Sequence, residues 1–256
     1  MLSFDFKFKI NVIFLLIKLA QFKTLKMKST IFIFSMLLFS SILIAQLVDK
    51  ESNNYKTVKI GDYEWMSENL RSTKLNDGKS IALAQNKDEW MMYCRKKLPC
   101  YCYYQFDTQY KDYGFIYNYY ASHHNKIAPN GWIIPSDDIW SEMIFTVGKY
   151  DSTTAQKLAY NTGWSSDGKS FNKTGFSAKP HGYLKFCGAF VDQNYKHVSY
   201  WNINREDEDN GENACNFSVS EKEGVLKVSH GFSGNTAGSY IRCCKKLNAT
   251  GEDIDK

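Results

Sequence analysis

The sequence predicts an α+β fold, with two helices packed on small twisted antiparallel sheets joined by long loops. Three observations carry this. Residues 137–147 repeat apolar side chains at helical spacing, and residues 57–66 read as two strands around a turn. The last third breaks into short strand-like pieces separated by Gly, Asn and Ser.

The helix is the plainest element. Pro129-Asn130-Gly131 reads as a tight turn, Trp132-Ile133-Ile134 as a short strand and Pro135 as its end. Ser136 stands at the N-cap position, and Asp137 and Asp138 place carboxylates at the positive end of the helix dipole. Ile139, Trp140, Met143, Ile144 and Val147 then line one face, closed by Gly148. Trp132 and Trp140 are expected in the core. Upstream, Thr57-Val58-Lys59-Ile60 alternates as a strand, and Gly61-Asp62 turns it into Tyr63-Glu64-Trp65-Met66. Residues 113–120 read as a strand bending into a short helix, and residues 153–160 as a second helix. Further strand pieces fall at 176–178, 188–191, 198–202, 217–219, 225–228 and 240–243.

The first 45 residues are set apart from this fold. Met27-Lys28 precedes an apolar run over residues 31–44 that ends at Ala45, the pattern of a secretory signal peptide with Leu43 and Ala45 before the cut. That run is shorter than the ~20 residues that span a bilayer, so no stable transmembrane anchor is expected. We read Met27 as the start, 1–26 as an upstream extension and 46–56 as a linker. Residues 57–246 are the domain and 247–256 a polar tail. The formal net charge of +5 belongs to the leader: residues 1–45 hold six of the 32 basic residues but one of the 27 acidic ones. The remainder is neutral, which removes the electrostatic footprint that nucleic-acid binding needs.

Seven cysteines (94, 100, 102, 187, 215, 243, 244) lie beyond the leader in a chain read as exported, so disulfides are permitted, with connectivity open. No CxxC pair with matching ligands suggests zinc.

The segments TVKIGDYEWMSENLRSTKLNDGKSI, YCYYQFD, YGFIYNYYA, APNGWIIPSDDIW, NKTGFSAKPHGYL and YIRCCKK follow one another over about residues 57–246. In that order they resemble the Fibrobacter succinogenes major paralogous domain, found in exported bacterial proteins. The resemblance implies a C-type-lectin-like fold whose terminal strands pair, here Val58 to Ile60 with Tyr240 to Cys243. Ala128 stands where the family commonly has Cys, and Tyr200-Trp201-Asn202-Ile203 replaces its Trp-Trp-Ser-Ser loop.

Candidate sites follow from residue chemistry. Glu206, Asp207, Glu208, Asp209 and Glu212 offer carboxylate oxygens to a hard cation such as calcium, the alternative being a solvated charged loop. Trp164 and Trp201, in loop-rich contexts, are candidates for exposed rings that stack on sugars, with Asn202 and Asn204 as polar partners. His123 and His124 are adjacent, so their rings point apart and do not chelate together. The Gly131-Trp132…Pro135-Ser136…Trp140 segment and the closing Arg242-Cys243 also resemble the formylglycine-generating sulfatase modifiers, which hold copper on a spaced cysteine pair, whereas Cys243 and Cys244 are adjacent. Here a structural disulfide from Cys243 to an upstream cysteine is favoured. No catalytic motif is recognised. The expected role is therefore recognition of a glycan or protein, in secreted form or at the outer cell surface. An enzyme related to the sulfatase modifiers and a purely structural surface protein are the alternatives.

Overall fold

The computed structural model describes residues 47–165, 170–191, 195–203 and 214–248. The chain divides into residues 1–45 and 46–256, and all that is described belongs to the second unit. The leader and the acidic residues 206–212 therefore lie outside the described residues. Among the described residues no helix is long and apolar enough to cross a membrane.

The observed architecture is α+β, built from several small, mainly antiparallel sheets. Strand β1 (Leu47–Val48) pairs with β2 (Asn54–Tyr55). The expected linker is thus a folded hairpin. Leu47 and Tyr55 are buried, and the Tyr55 hydroxyl donates to Asp49 at 2.7 Å while accepting from the Arg71 N–H at 2.9 Å.

Strands β3 (Thr57–Ile60) and β4 (Tyr63–Met66) form the hairpin that the sequence announces. The C-terminal strand β12 (Cys244–Lys246) completes this sheet in the order β12-β4-β3. The two ends of the domain do share a sheet, but the expected partner is corrected. The tight turn at Gly61-Asp62 sends β3 back onto one edge of β4, so β12 takes the other edge, with Cys244 opposite Trp65.

A second sheet runs β11 (Gly238–Ser239), β7 (Ile116–Asn118), β6 (Cys100–Cys102), β5 (Ala82–Leu83), and a third runs β10 (Val225–Phe232), β9 (Cys215–Lys222), β8 (His197–Asn202). Residues 176–178 and 188–191, expected as strands, make only single bridges, Ala178 with Ala159 and Phe190 with Leu184.

Helix α1 (Lys87–Arg95) was not anticipated; its signal is Asn86, whose side chain accepts from the Glu89 N–H at 2.9 Å. After β7 come α2 (Tyr119–Ser122), α3 (Asp137–Val147) and α4 (Ser152–Leu158). Ser136 caps α3 and Gly148 ends it, as the sequence implies. Its buried face is Trp140, Met143 and Ile144. The Trp140 ring stacks on Phe217 at 4.3 Å and packs on Trp65 at 5.0 Å, joining α3 to two sheets. Removing such a buried indole costs about 3–5 kcal/mol. Trp132 is also buried, as expected.

Arg242 is the polar centre of this assembly. It is 3 % exposed and donates to Asn69 Oδ1 (2.7 Å) and to the carbonyls of Met66 (3.0 Å), Phe176 (2.7 Å) and Ser177 (3.3 Å). Its guanidinium also lies over the Phe176 and Tyr200 rings. Burial lowers its pKa, and the carbonyl dipoles stand in for the missing counter-ion.

Candidate functional site

The described surface includes two clefts of ligand size. The first, about 390 Å³, is lined by Tyr104, Tyr113, Tyr160, Thr162, Gly163, Lys179, Pro180, His181, Gly182, Tyr195 and Lys196. Four separate stretches of chain build it. Two successive 3-10 turns, Tyr104–Phe106 and Thr108–Tyr113, supply Tyr104 and Tyr113. The residues after α4 supply Tyr160 to Gly163, and the stretch Lys179-Pro180-His181-Gly182 forms one wall. Tyr195 and Lys196 precede β8.

Each wall is fixed by contacts that the sequence does not announce. Tyr104 is buried, and its hydroxyl donates to the Val191 carbonyl at 2.8 Å. Its ring lies against Gly182, where an added Cβ would come within 2.5 Å of Tyr104 Cε2; with φ +74° this position suits only glycine. His181 stacks flat on Tyr113 at 3.6 Å and 5° between planes. Burial, assisted by the Lys179 charge, depresses its pKa to about 3, so it is a neutral stacking ring at ordinary pH. The His181 carbonyl accepts from the Tyr240 hydroxyl at 2.9 Å.

The charge in this cleft comes from two ammonium groups. Lys179 Nζ sits 4.7 Å from the Tyr160 ring centroid, and Lys196 Nζ donates to the Gly163 carbonyl. No carboxylate stands among the described lining residues. A smaller hollow behind Lys179 and His181, about 70 Å³, reaches Arg242, Asn69 and Asp112.

The second cleft is larger, about 580 Å³, and more apolar. Trp132, Ile133, Ile134, Ile139 and Ile203 wall it, with His123, His124, Ser136 and Asp138 among them. Three of its polar groups serve the fold. Ser136 caps α3, and His123 Nδ1 lies 3.0 Å from Ser122 Oγ and 3.1 Å from the Tyr119 carbonyl. Burial holds His123 at about 4, while His124 Nδ1 accepts from the Lys126 N–H.

The sequence-derived site residues fare unevenly. The expectation that Trp164 and Trp201 are exposed stacking rings is corrected: both are buried, 7 % and 0 % exposed. Each indole N–H reaches a carbonyl inside the fold, Trp164 to Ala178 at 3.1 Å and Trp201 to Tyr117 at 2.7 Å, which lets a polar tip be buried without loss. Asn202 is fully buried and donates to Asp137 Oδ1 at 2.6 Å, so it is corrected from ligand partner to internal clamp. Asn204, Glu206, Asp207, Glu208, Asp209 and Glu212 lie outside the described residues. Among the described residues no group of three His, Cys, Asp or Glu side chains could hold a metal.

The expected disulfide from Cys243 is also corrected, since all seven cysteines are thiols. Cys243 and Cys244 pack into two different apolar clusters, because neighbouring residues of an extended chain face opposite ways. Burial pushes both thiols upward in pKa. They therefore do not converge on one point, as a cysteine pair holding copper would have to.

One hydrogen-bonded string resembles acid–base machinery. Asp137 Oδ1 meets His230 Nδ1, His230 Nε2 meets the Tyr150 hydroxyl at 2.8 Å, and that hydroxyl meets Ser141 Oγ at 3.0 Å. Asp137, His230, Tyr150 and Ser141 line neither of these two clefts.

The residues that sequence reasoning passed over are Tyr113, Tyr160, Lys179, His181, Tyr195 and Lys196. The stretch Lys179-Pro180-His181-Gly182 lies within a segment that carried the family resemblance, which was the one available signal.

No curated protein and no solved structure matches the chain. Residues 58–245 match the Fibrobacter succinogenes major domain, a span that includes both clefts and all three of the larger sheets. The chain belongs to the Fibrobacter succinogenes major domain family.

Proposed function

We propose that this chain is an exported recognition module, secreted or held at the outer cell surface, that binds a saccharide in the tyrosine–lysine cleft. The observation that carries the reading is the cleft itself. Tyr113, Tyr160 and Tyr195 line one concavity with two lysines, Tyr113 stacked on His181 and Tyr160 under the Lys179 ammonium. Rings supply apolar area for sugar faces at little conformational cost, while hydroxyl and ammonium groups supply hydrogen bonds to sugar oxygens. The leader read at residues 27–45 supports export, and a C-type-lectin-like arrangement is in keeping with two chain ends sharing one sheet. A role for calcium at residues 206–212 is a separate proposal, since no carboxylate lines the cleft among the described residues.

A glycan array followed by calorimetry, with Tyr160→Ala as the contrast, tests the reading. Binding should appear without added calcium and weaken about tenfold or more on loss of the ring, the scale of one stacking contact. Failure to bind any saccharide, or equal binding by the variant, overturns it.

A further inference from the structure

Resting on that reading of the cleft, we infer that its ligand is an acidic saccharide, one whose sugar carboxylate is met by Lys179 and Lys196 while a pyranose face lies on Tyr160.

Both ammonium groups bear on the same four-residue rim. Lys179 Nζ lies over the Tyr160 ring, and Lys196 Nζ donates to Gly163, three residues further on. An ammonium carries three donors, so Lys196 keeps two after Gly163 is satisfied. Among the described residues neither lysine forms an ion pair, in a domain where Lys126 and Arg71 do find carboxylates. A bound carboxylate would gain charge-assisted hydrogen bonds from both ammonium groups, in competition with the Asp112 and Glu221 carboxylates that stand near the rim.

The geometry also separates this from a general affinity for anions. A free phosphate would engage the ammonium groups and leave the rings unused. A sugar ring that carries its own carboxylate uses both. Lys179 Nζ lies over one face of the Tyr160 ring, so the sugar of this inference takes the other face. His181 faces the same space but is neutral, and its pKa of about 3 keeps it so wherever a uronate is ionised. The positive charge of the described walls is therefore that of the two lysines.

The test uses the mature chain and matched ligand pairs. Oligosaccharides of galacturonate, mannuronate and glucuronate are each compared with their methyl esters, which keep the ring and cap the charge, with inorganic phosphate as a further arm. At low salt at least one acid should bind about tenfold more tightly than its ester, and the gap should narrow as salt rises. In Lys179→Ala/Lys196→Ala acid and ester should both weaken, the acid by about tenfold more, so that the gap closes; Lys179→Arg should restore part of it.

Equal binding of acids and esters overturns the inference and leaves the saccharide reading standing. A preference for acids that survives the double substitution overturns it too, since the carboxylate is then held elsewhere. Phosphate that competes as well as the acid reduces the site to an anion hole and also overturns it. Absence of binding to every saccharide overturns the reading beneath it. Circular dichroism confirms that the variants fold.

Discussion

The two clefts differ in a way that volume hides. The larger, at about 580 Å³, is walled by Trp132, Ile133, Ile134 and Ile139; Ser136 caps α3 and His123 fixes the α2 turn, while Asp138 and Asn125 stand exposed at its edge. The smaller, at about 390 Å³, has walls held from behind, by Tyr104 on Val191 and by Tyr240 on the His181 carbonyl, with Lys179, Lys196, Tyr160 and Tyr195 among its lining. Polar groups not needed by the fold mark a site better than empty space does. The apolar cleft is the margin of a core cluster that contains Trp132 and Ile134.

The largest expected effect comes from the support behind the tyrosine cleft. Arg242→Met strips the donors from Asn69, Met66, Phe176 and Ser177 at once. A loss of about 3–5 kcal/mol is expected, read as a shift of the urea midpoint at unchanged slope. A loss below about 1 kcal/mol would mean that the cleft does not depend on this hub.

A pair of glycines sharpens the contrast. Gly182→Ala drives a methyl into Tyr104, whereas Gly131→Ala, in the turn before Trp132, meets nothing within 4 Å. Both positions have positive φ, so both bear about 1–2 kcal/mol of backbone strain. Only Gly182→Ala adds overpacking of about 1–3 kcal/mol and a loss of ligand binding. Equal melting temperatures for the two variants would show that Tyr104 yields freely.

Protonation acts on both clefts. Burial holds His181 at about 3, and His197 and His123 at about 4, below the ordinary value of 6.5. The folded chain keeps them neutral while the unfolded chain takes up protons below about pH 6.5. Their stabilising contribution is thus complete above that pH and is lost as pH falls towards 4. Calorimetric melting should drop by several degrees between pH 7 and 4.5, and His181→Phe, which keeps the stack on Tyr113, should flatten that slope. An unchanged slope in the variant would place the lost protons elsewhere.

The smallest effect belongs to the apolar cleft. Ile133 is 42 % exposed, so Ile133→Ser should change stability by about 0.5 kcal/mol or less and saccharide affinity hardly at all. A marked loss of affinity would move the binding site to this side of the molecule.

Much of the local structure was legible. The cap at Ser136, the carboxylates at Asp137 and Asp138 and the spacing of Trp140, Met143 and Ile144 specify α3 through interactions within one or two turns. The β3–β4 hairpin follows from alternation around Gly61-Asp62 in the same way. Helix α1 was missed although Asn86 and Glu89 spell a capping pair, because its apolar residues do not stand out at helical spacing from the aromatic- and cysteine-rich stretch that follows. Trp164 and Trp201 were misplaced for a different reason. Their Gly-, Asn- and Ser-rich surroundings say nothing about whether a carbonyl from another segment waits for the indole N–H.

By itself, then, the sequence determined the helix ends, the hairpin, the α+β class and the family, all of which rest on neighbours in the chain or on the order of several motifs. Which tryptophans are buried, and which edge of β4 receives β12, was decided only in three dimensions. The cleft was decided there too, because it joins Tyr104 and Tyr113 to Tyr160, Lys179 and Lys196 across more than 80 residues of chain. No periodicity links such positions. They meet because the packing around Arg242, Gly182 and Tyr240 leaves their stretches of chain no other place to lie.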